Sequence, residues 1–189
     1  MAENTPTVAD PGPLGLAAFA TTTFVLSLVN AGLVNAGDIA VVLPIALMFG
    51  GIAQMLAGMW EFKRNNTFGA VAFTAYGAFW ISFYFLATKF LKGAPADAVG
   101  VFLLAWTIFT LYMVIGSFAT NGALATLFVV LEVTFIILTW GAFAGSAGIT
   151  KIGGYLGIIV AILAWYVSMA GVINTTYGKT IFPTFPFSK

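Results

Sequence analysis

With no histidine and no cysteine among 189 residues, this chain has only carboxylates, amides, hydroxyls and a few cations with which to do chemistry. That removes imidazole bases, thiol nucleophiles, disulfides and nearly every zinc, haem or copper site. No metal or other cofactor is expected. Six Asp and Glu residues remain, and no two are spaced as a catalytic pair, so an intramembrane enzyme is the least favoured class. The informative polar residues are those embedded in apolar text: Thr23, Asn30, Gln54, Tyr76 and Glu132, with Glu61 at the edge of such a run. Polar groups are costly inside a bilayer and face a bundle interior or a cavity.

Their spacing gives them direction. At 100° per residue, Phe19, Thr23, Leu26 and Asn30 share one helix face, as do Gln54, Gly58 and Glu61, and Gly69, Tyr76, Trp80 and Phe83. Each stripe mixes hydrogen-bonding groups with aromatics or small residues. Amides carry both donor and acceptor and hydroxyls add donors, so such stripes could line a path that solvates a small carboxylate without holding it tightly. Interhelical hydrogen bonding accounts equally well for Asn30 and Gln54. For Thr23, a bond to its own preceding turn is the simpler reading. Trp80 either packs between helices or stacks over the path, and its shared face with Tyr76 favours the path.

The elements carrying these stripes must be membrane helices. The chain is 61% hydrophobic and 7% charged, against roughly 25% charged in soluble domains. A net charge of +1 without a basic tract argues against nucleic acid as a partner. A membrane-crossing helix takes about 20 apolar residues, and turn-forming clusters divide the chain into six spans near 14–35, 39–62, 67–90, 98–118, 123–144 and 153–175. The fold class is therefore all-α, a polytopic six-helix membrane protein with short loops and antiparallel neighbours. Residues 1–13 form an N-terminal arm and helix cap, 14–175 the transmembrane domain, and 176–189 a C-terminal tail. The start of the chain lacks Lys, Arg and a cleavage pattern, and reads as a mobile arm rather than a signal peptide.

Asp10 suits a helix N-cap, with Pro11 and Pro13 in the first turn. Gly141-x-x-x-Gly145 and Gly153-x-x-x-Gly157 suggest close helix packing. The Asn174-Thr175-Thr176 sequon lies at a span end and is discounted as a glycosylation site, and the Phe-Pro text of residues 182–187 is expected along the membrane interface. An even number of spans puts Lys63, Arg64, Lys179 and Lys189 on the side of the termini, against Lys89, Lys92 and Lys151 on the other. This excess places the termini in the cytoplasm by the positive-inside rule.

Three ordered motifs carry a resemblance. Pro11-Gly12-Pro13-Leu14-Gly15-Leu16 resembles the N-P-A-P-L-G-L signature of the acetate uptake transporter family. Gly50-Gly51-Ile52-Ala53-Gln54 through Ala57-Gly58 and Glu61 is similar to its second-helix pattern. Asn66-Thr67-Phe68-Gly69, then Ala72-Phe73-Thr74-Ala75-Tyr76-Gly77-Ala78-Phe79-Trp80, resembles its third-helix patterns. The resemblance implies six helices per protomer, a homo-hexamer in the plasma membrane, and a path through each protomer for acetate and related short monocarboxylates, with succinate in some members. Transport as a channel and proton-linked transport are both implied. It also implies a constriction of Phe19, Tyr76 and Leu131, the last placed by spacing alone. There Tyr76 is the member expected to donate a hydrogen bond to the carboxylate.

The chain departs from the family pattern at Asp10, where the signature has asparagine, and at Ala75, where it has serine. Asp10 puts a negative charge near one mouth and should weaken any gathering of anions by the first helix's N-terminus. Glu132, mid-span and about 100° from Leu131, has three readings: a protonated acid bonded to a neighbouring helix, a proton carrier, or a subunit contact. Glu61, beside Lys63 and Arg64, reads first as a solvated or locally paired charge and second as an entrance residue. A channel for small neutral solutes, uncharged acid or ammonia, is the alternative function.

Overall fold

The computed structural model describes residues 8–187. Most of the expected N-terminal arm, and Lys189 of the charge count, lie outside the described residues. Six helices are long and apolar enough to cross a membrane: α1 (Gly12–Ala31), α2 (Ala36–Lys63), α3 (Thr67–Phe90), α4 (Ala98–Ser117), α5 (Gly122–Phe143) and α6 (Ala147–Tyr177). Among the described residues there is no strand, only an isolated bridge between Asn121 and Pro186.

The ends differ from the expected spans for local reasons. α1 begins at Gly12, two residues early, and Asp10 Oδ1 accepts the Gly12 N–H at 2.9 Å. It stops at Ala31 rather than 35, because Gly32 takes a left-handed φ of 70° and turns its N–H back to Val29 O. That conformation is open to glycine at no steric cost. α6 starts at Ala147, not at 153: Ser146 Oγ accepts the Ile149 N–H at 3.4 Å, so the expected loop is the helix's first turn. At 31 residues α6 is roughly 46 Å long, beyond the ~30 Å hydrocarbon core.

α2 is composite. A 3₁₀ turn at Ala36–Asp38 leads into α-helix at Ile39–Ile45, a π-helical stretch at Ala46–Ala53, and α-helix again at Gln54–Lys63. Pro44 sits just before the π stretch and has no N–H to give the preceding turn. Widening the helix there is one way to restore the ladder. Gly50 lies within it against α1, where a Cβ would stand 2.9 Å from Thr22 Cβ. α3 also ends in a π turn at Leu86–Phe90.

The most extensive packing is between α1 and α6, followed by α2 on α3, and α5 packs on both α6 and α4. The expected small-residue contacts fall inside the chain: Gly141 faces Thr150 of α6, Gly153 faces Leu138 of α5, and Gly157 faces Ser27 of α1. α3 and α4 meet through aromatic rings, with Phe79 stacked on Phe102 at 5.4 Å between centroids.

The tail folds back over the bundle. Phe185 O and Thr184 O accept the N–H groups of Gly122 and Ala123, and Tyr166 Oη donates to Pro183 O at 2.6 Å. These carbonyls satisfy two of the four unpaired donors that every helix start carries. Asn174 clamps the tail as well, accepting from Ile181 N and Phe182 N and donating to Phe182 O.

Gly154 marks the closest approach of α6 to α1, where a Cβ would stand 2.7 Å from Ala31 Cα. Backbone cannot swing aside as a side chain can. Gly154→Ala should destabilise the bundle by about 1–3 kcal/mol, read as a lowered thermal midpoint in detergent. An unchanged midpoint would show that α1 and α6 are not packed this way.

Candidate functional site

Among the described residues, two cavities in the bundle take in most of the side chains expected at the site. The first, about 470 Å³, is lined by Phe19, Thr23, Leu26 and Asn30 of α1, Trp80 and Phe83 of α3, and Leu131 and Thr134 of α5, among others. The second, about 330 Å³, holds Asp10, Gln54, Glu61, Arg64, Asn66, Tyr76 and Asn121, with Phe19 and Leu131 again in its wall. Phe19 and Leu131 thus line both cavities. Tyr76 lines the second cavity, its ring 5.6 Å from that of Phe19. All three side chains are at most 5% exposed.

The cavities differ in character. Neither Lys, Arg, Asp nor Glu lines the first. The second lies where α1, α3 and α5 all begin, with Gly12, Asn66, Gly69 and Asn121 in its wall. Two helices end there as well, with Glu61 and Arg64 of the α2 terminus and Thr120 after α4 in the same wall, so helix dipoles of both signs meet at that end. Its side chains are held by local bonds: Asn66 Oδ1 accepts from Gly69 N at 3.1 Å and Asn121 Oδ1 from Leu124 N at 3.0 Å.

All four residues of the α1 stripe line the first cavity. Of the α2 stripe, Gln54 and Glu61 reach the second, whereas Gly58 packs on Thr74. The α3 stripe divides: Gly69 and Tyr76 line the second cavity, Trp80 and Phe83 the first.

Hydrogen bonding separates residues that look alike in sequence. Thr22 Oγ1 donates to Ala18 O at 2.8 Å, the bond expected of Thr23. Thr23 Oγ1 instead is buried without a partner among the described residues, as are Trp80 Nε1 and Gln54 Oε1. Thr23 and Trp80 thus bring uncommitted polar groups to the first cavity, and Gln54 to the second. Among the described residues Thr23 does not bond its preceding turn, and Gln54 leaves its Oε1 without a partner.

Tyr76 is committed elsewhere. Its hydroxyl lies 2.9 Å from Thr110 Oγ1, and Thr110 Oγ1 donates its own proton to Trp106 O at 2.8 Å. A hydroxyl has one proton, so Tyr76 is the donor in its pair. In this arrangement the Tyr76 O–H is directed at Thr110 Oγ1, so donation to a carboxylate would require it to turn from that bond. The ring stands against Phe109 and Phe128 as well, at centroid distances of 5.2 and 6.3 Å.

Glu61 is not solvated. It is 2% exposed, its Oε2 accepts from Asn66 Nδ2 at 3.0 Å and stands 3.7 Å from Arg64 Nη1. Local pairing is the correct half of that expectation. Glu132 is 7% exposed, lines neither cavity, and its Oε2 has no partner among the described residues. That oxygen does not make the expected interhelical bond.

Arg64, Asn66 and Thr110 were not singled out by the sequence. Arg64 follows Glu61 by three residues, a spacing that places both on one helix face. Thr107 and Thr110 share a face of α4, and Thr107 Oγ1 lies 2.9 Å from Thr139 Oγ1 of α5. Such hydroxyl pairs across helices need tertiary information to be recognised.

Six apolar helices around two cavities that share Phe19 and Leu131 make a polytopic membrane protein built for transport. The GPR1/FUN34/yaaH family profile matches residues 2–189, and the chain belongs to that family. It is 40% identical over 180 residues to the "Succinate-acetate/proton symporter SatP" of Escherichia coli (strain K12), covering 93% of this chain and 95% of that one. It is 40% identical over 173 residues to the "Ammonia transport outward protein 2" of Saccharomyces cerevisiae, covering 87% of this chain and 61% of that longer protein. The solved "Structure of the bacterial acetate channel SatP" superposes with a TM-score of 0.89 at 37% identity, covering 94% of this chain and 99% of that one.

Thr110→Val keeps the shape of the side chain but takes away the acceptor for Tyr76. A buried hydroxyl left unpaired costs about 1–3 kcal/mol, so Thr110→Val should lower the thermal midpoint while Thr110→Ser largely preserves it. Equal midpoints for the two variants would show that Tyr76 does not depend on this bond.

Proposed function

We propose that this protein carries acetate and related short monocarboxylates across the membrane, succinate less readily, along a path within each protomer. The path runs from the second cavity, through the layer of Phe19, Tyr76 and Leu131, into the first. The observation that carries the reading is that Phe19 and Leu131 wall both cavities. The names of the bacterial relatives support it.

The geometry suggests how passage works. A carboxylate entering the second cavity meets Arg64 and the backbone starts of α1, α3 and α5, against Asp10 and Glu61 in the same wall. Beyond the layer, Thr23 Oγ1 and Trp80 Nε1 are uncommitted donors for a carboxylate that has lost water, whereas before it the uncommitted Gln54 Oε1 accepts only and suits the protonated acid. Few contacts on each side keep binding weak enough for release, as conduction requires. The apolar layer favours a methyl group and penalises a large hydrated ion, whose water must be stripped at high cost.

Within this reading the chain is a homo-hexamer in the plasma membrane with cytoplasmic termini. The six-helix bundle is the transporting unit, flanked by the arm and tail. The half-exposed apolar face of α4, with Val101, Leu104, Ile108 and Ile115, faces lipid or a neighbouring copy. Glu132 is the candidate proton carrier, because it is the buried carboxyl whose Oε2 no other side chain holds.

A pore for small neutral solutes is the second reading, favoured by the absence of charged side chains from the first cavity and by the name of the yeast relative. Membrane voltage separates the two, since moving one charge through 100 mV is worth about 2.3 kcal/mol. Flux that responds to voltage supports passage of the bare anion, whereas indifference supports a neutral solute or acetate accompanied by one proton, which the Glu132→Gln arm below tells apart.

Labelled acetate uptake into proteoliposomes under an imposed pH gradient tests the assignment directly. Uptake by the wild-type protein is expected, and none under any gradient would overturn it. Glu132→Gln should lose the response to the pH gradient if Glu132 carries the proton. An unchanged response would make it a structural residue. Phe19→Ala should admit bulkier carboxylates such as butyrate at a rate closer to that of acetate, whereas the same ranking of acids in mutant and wild type would remove Phe19 from the constriction.

A further inference from the structure

Among the residues lining the two cavities, Arg64 is the one cation, and carboxylates already surround it. Its Nη1 donates to Asp10 Oδ1, across 54 positions of sequence. Glu61 Oε2 lies 3.7 Å from the same nitrogen. The turn between α2 and α3 fixes the guanidinium there: Asn65 takes a left-handed φ of 59°, and Asn66 N returns to Glu61 O at 3.1 Å. Asp10 comes from the other direction, from the leading edge of α1, where its Oδ1 also holds the Gly12 N–H.

The Asp10–Arg64 pair is open to water. The two side chains are 44% and 34% exposed, whereas that of Glu61 is 2% exposed. Exposed ion pairs contribute little and exchange readily. Both carboxylates approach Arg64 through Nη1, although a guanidinium offers five N–H donors in a fork suited to one carboxylate. An incoming carboxylate therefore has both a replaceable partner and free donors.

We infer that Asp10 is a tethered competitor of the permeating carboxylate for Arg64, and so sets the concentration at which the second cavity loads. The inference rests on the carboxylate-transport reading above and names a residue that controls entry within it. A group held on the same chain acts at an effective concentration of the order of mM. Substrate must exceed that competition before it occupies Arg64. Asp10 also disfavours dianions, because the second charge of succinate meets Asp10 and Glu61 with a single Arg64 to balance them.

The test is the KM for labelled acetate in proteoliposomes for wild type, Asp10→Asn, Arg64→Gln and the double variant. Asparagine keeps an oxygen to accept the Gly12 N–H, so the start of α1 is retained. Asp10→Asn should lower KM about two- to fivefold and raise succinate uptake relative to acetate, and Arg64→Gln should raise KM. In the Arg64→Gln background, Asp10→Asn should change KM little, because the residue it competes for is gone.

Acetate binding to the purified proteins in nanodiscs, read by saturation-transfer NMR, should follow the same order and supplies the Arg64→Gln arm if uptake is lost. An unchanged KM in Asp10→Asn would overturn the inference. So would an equal shift with Arg64 absent, which would make Asp10 a general field charge. No uptake by wild type under any gradient overturns the transport reading and this inference with it. Wild-type uptake with Asp10→Asn unaltered overturns this inference alone.

Discussion

A polar side chain inside an apolar bundle has to satisfy itself, and this constraint governs the whole interior. Most hydroxyls do so within their own helix: Thr22, Thr107, Thr110 and Thr134 each donate to the carbonyl four residues back. Tyr76 completes its bond across helices, through Thr110. Thr23, Gln54, Thr74, Trp80 and Glu132 leave a buried atom without a partner. Three of these five line a cavity, so the unsatisfied groups gather beside the proposed path. Leaving such a group unpaired costs about 1–3 kcal/mol, a cost that a passing solute able to accept or donate hydrogen bonds would offset.

The helix geometry serves that arrangement. α1, α3 and α5 each run past both cavities and contribute Phe19, Tyr76 and Leu131 near their middles. Glycines at Gly15, Gly50 and Gly77 let neighbouring elements press close around the layer. A Cβ on Gly15 would stand 2.6 Å from the Phe73 ring, and one on Gly77 would stand 2.9 Å from Gly51 O. The π stretch of α2 ends immediately before Gln54. Its wider turn sets the rotation with which Gln54 and Glu61 meet the second cavity.

Much of this was legible in the sequence, because periodicity reports which residues share a face. The stripe of Phe19, Thr23, Leu26 and Asn30 needs only 100° per residue to be seen, and all four line one cavity. Hydropathy and turn residues gave six spans, with end errors where a cap decided the matter: Gly32 ended α1 early and Ser146 started α6 early. Partner choice was not legible. Whether Thr22 or Thr23 bonds the preceding turn, where Tyr76 sends its proton, and which carboxylate meets Arg64 all depend on helix rotation and on residues far away in sequence. The π stretch was missed too, although Pro44 ahead of two glycines was its available sign.

The central claim is that the two cavities are one path interrupted at Phe19, Tyr76 and Leu131. The absence of native cysteine makes a thiol introduced at either side the single reactive site. The most direct measurement is labelling of Thr23→Cys and Gln54→Cys by a membrane-impermeant thiosulfonate applied to one face at a time, with and without acetate. Labelling of the two from opposite faces, each slowed by acetate, is the predicted result. Labelling of both from one face, or labelling that acetate leaves unslowed at both positions, would contradict a path through this layer.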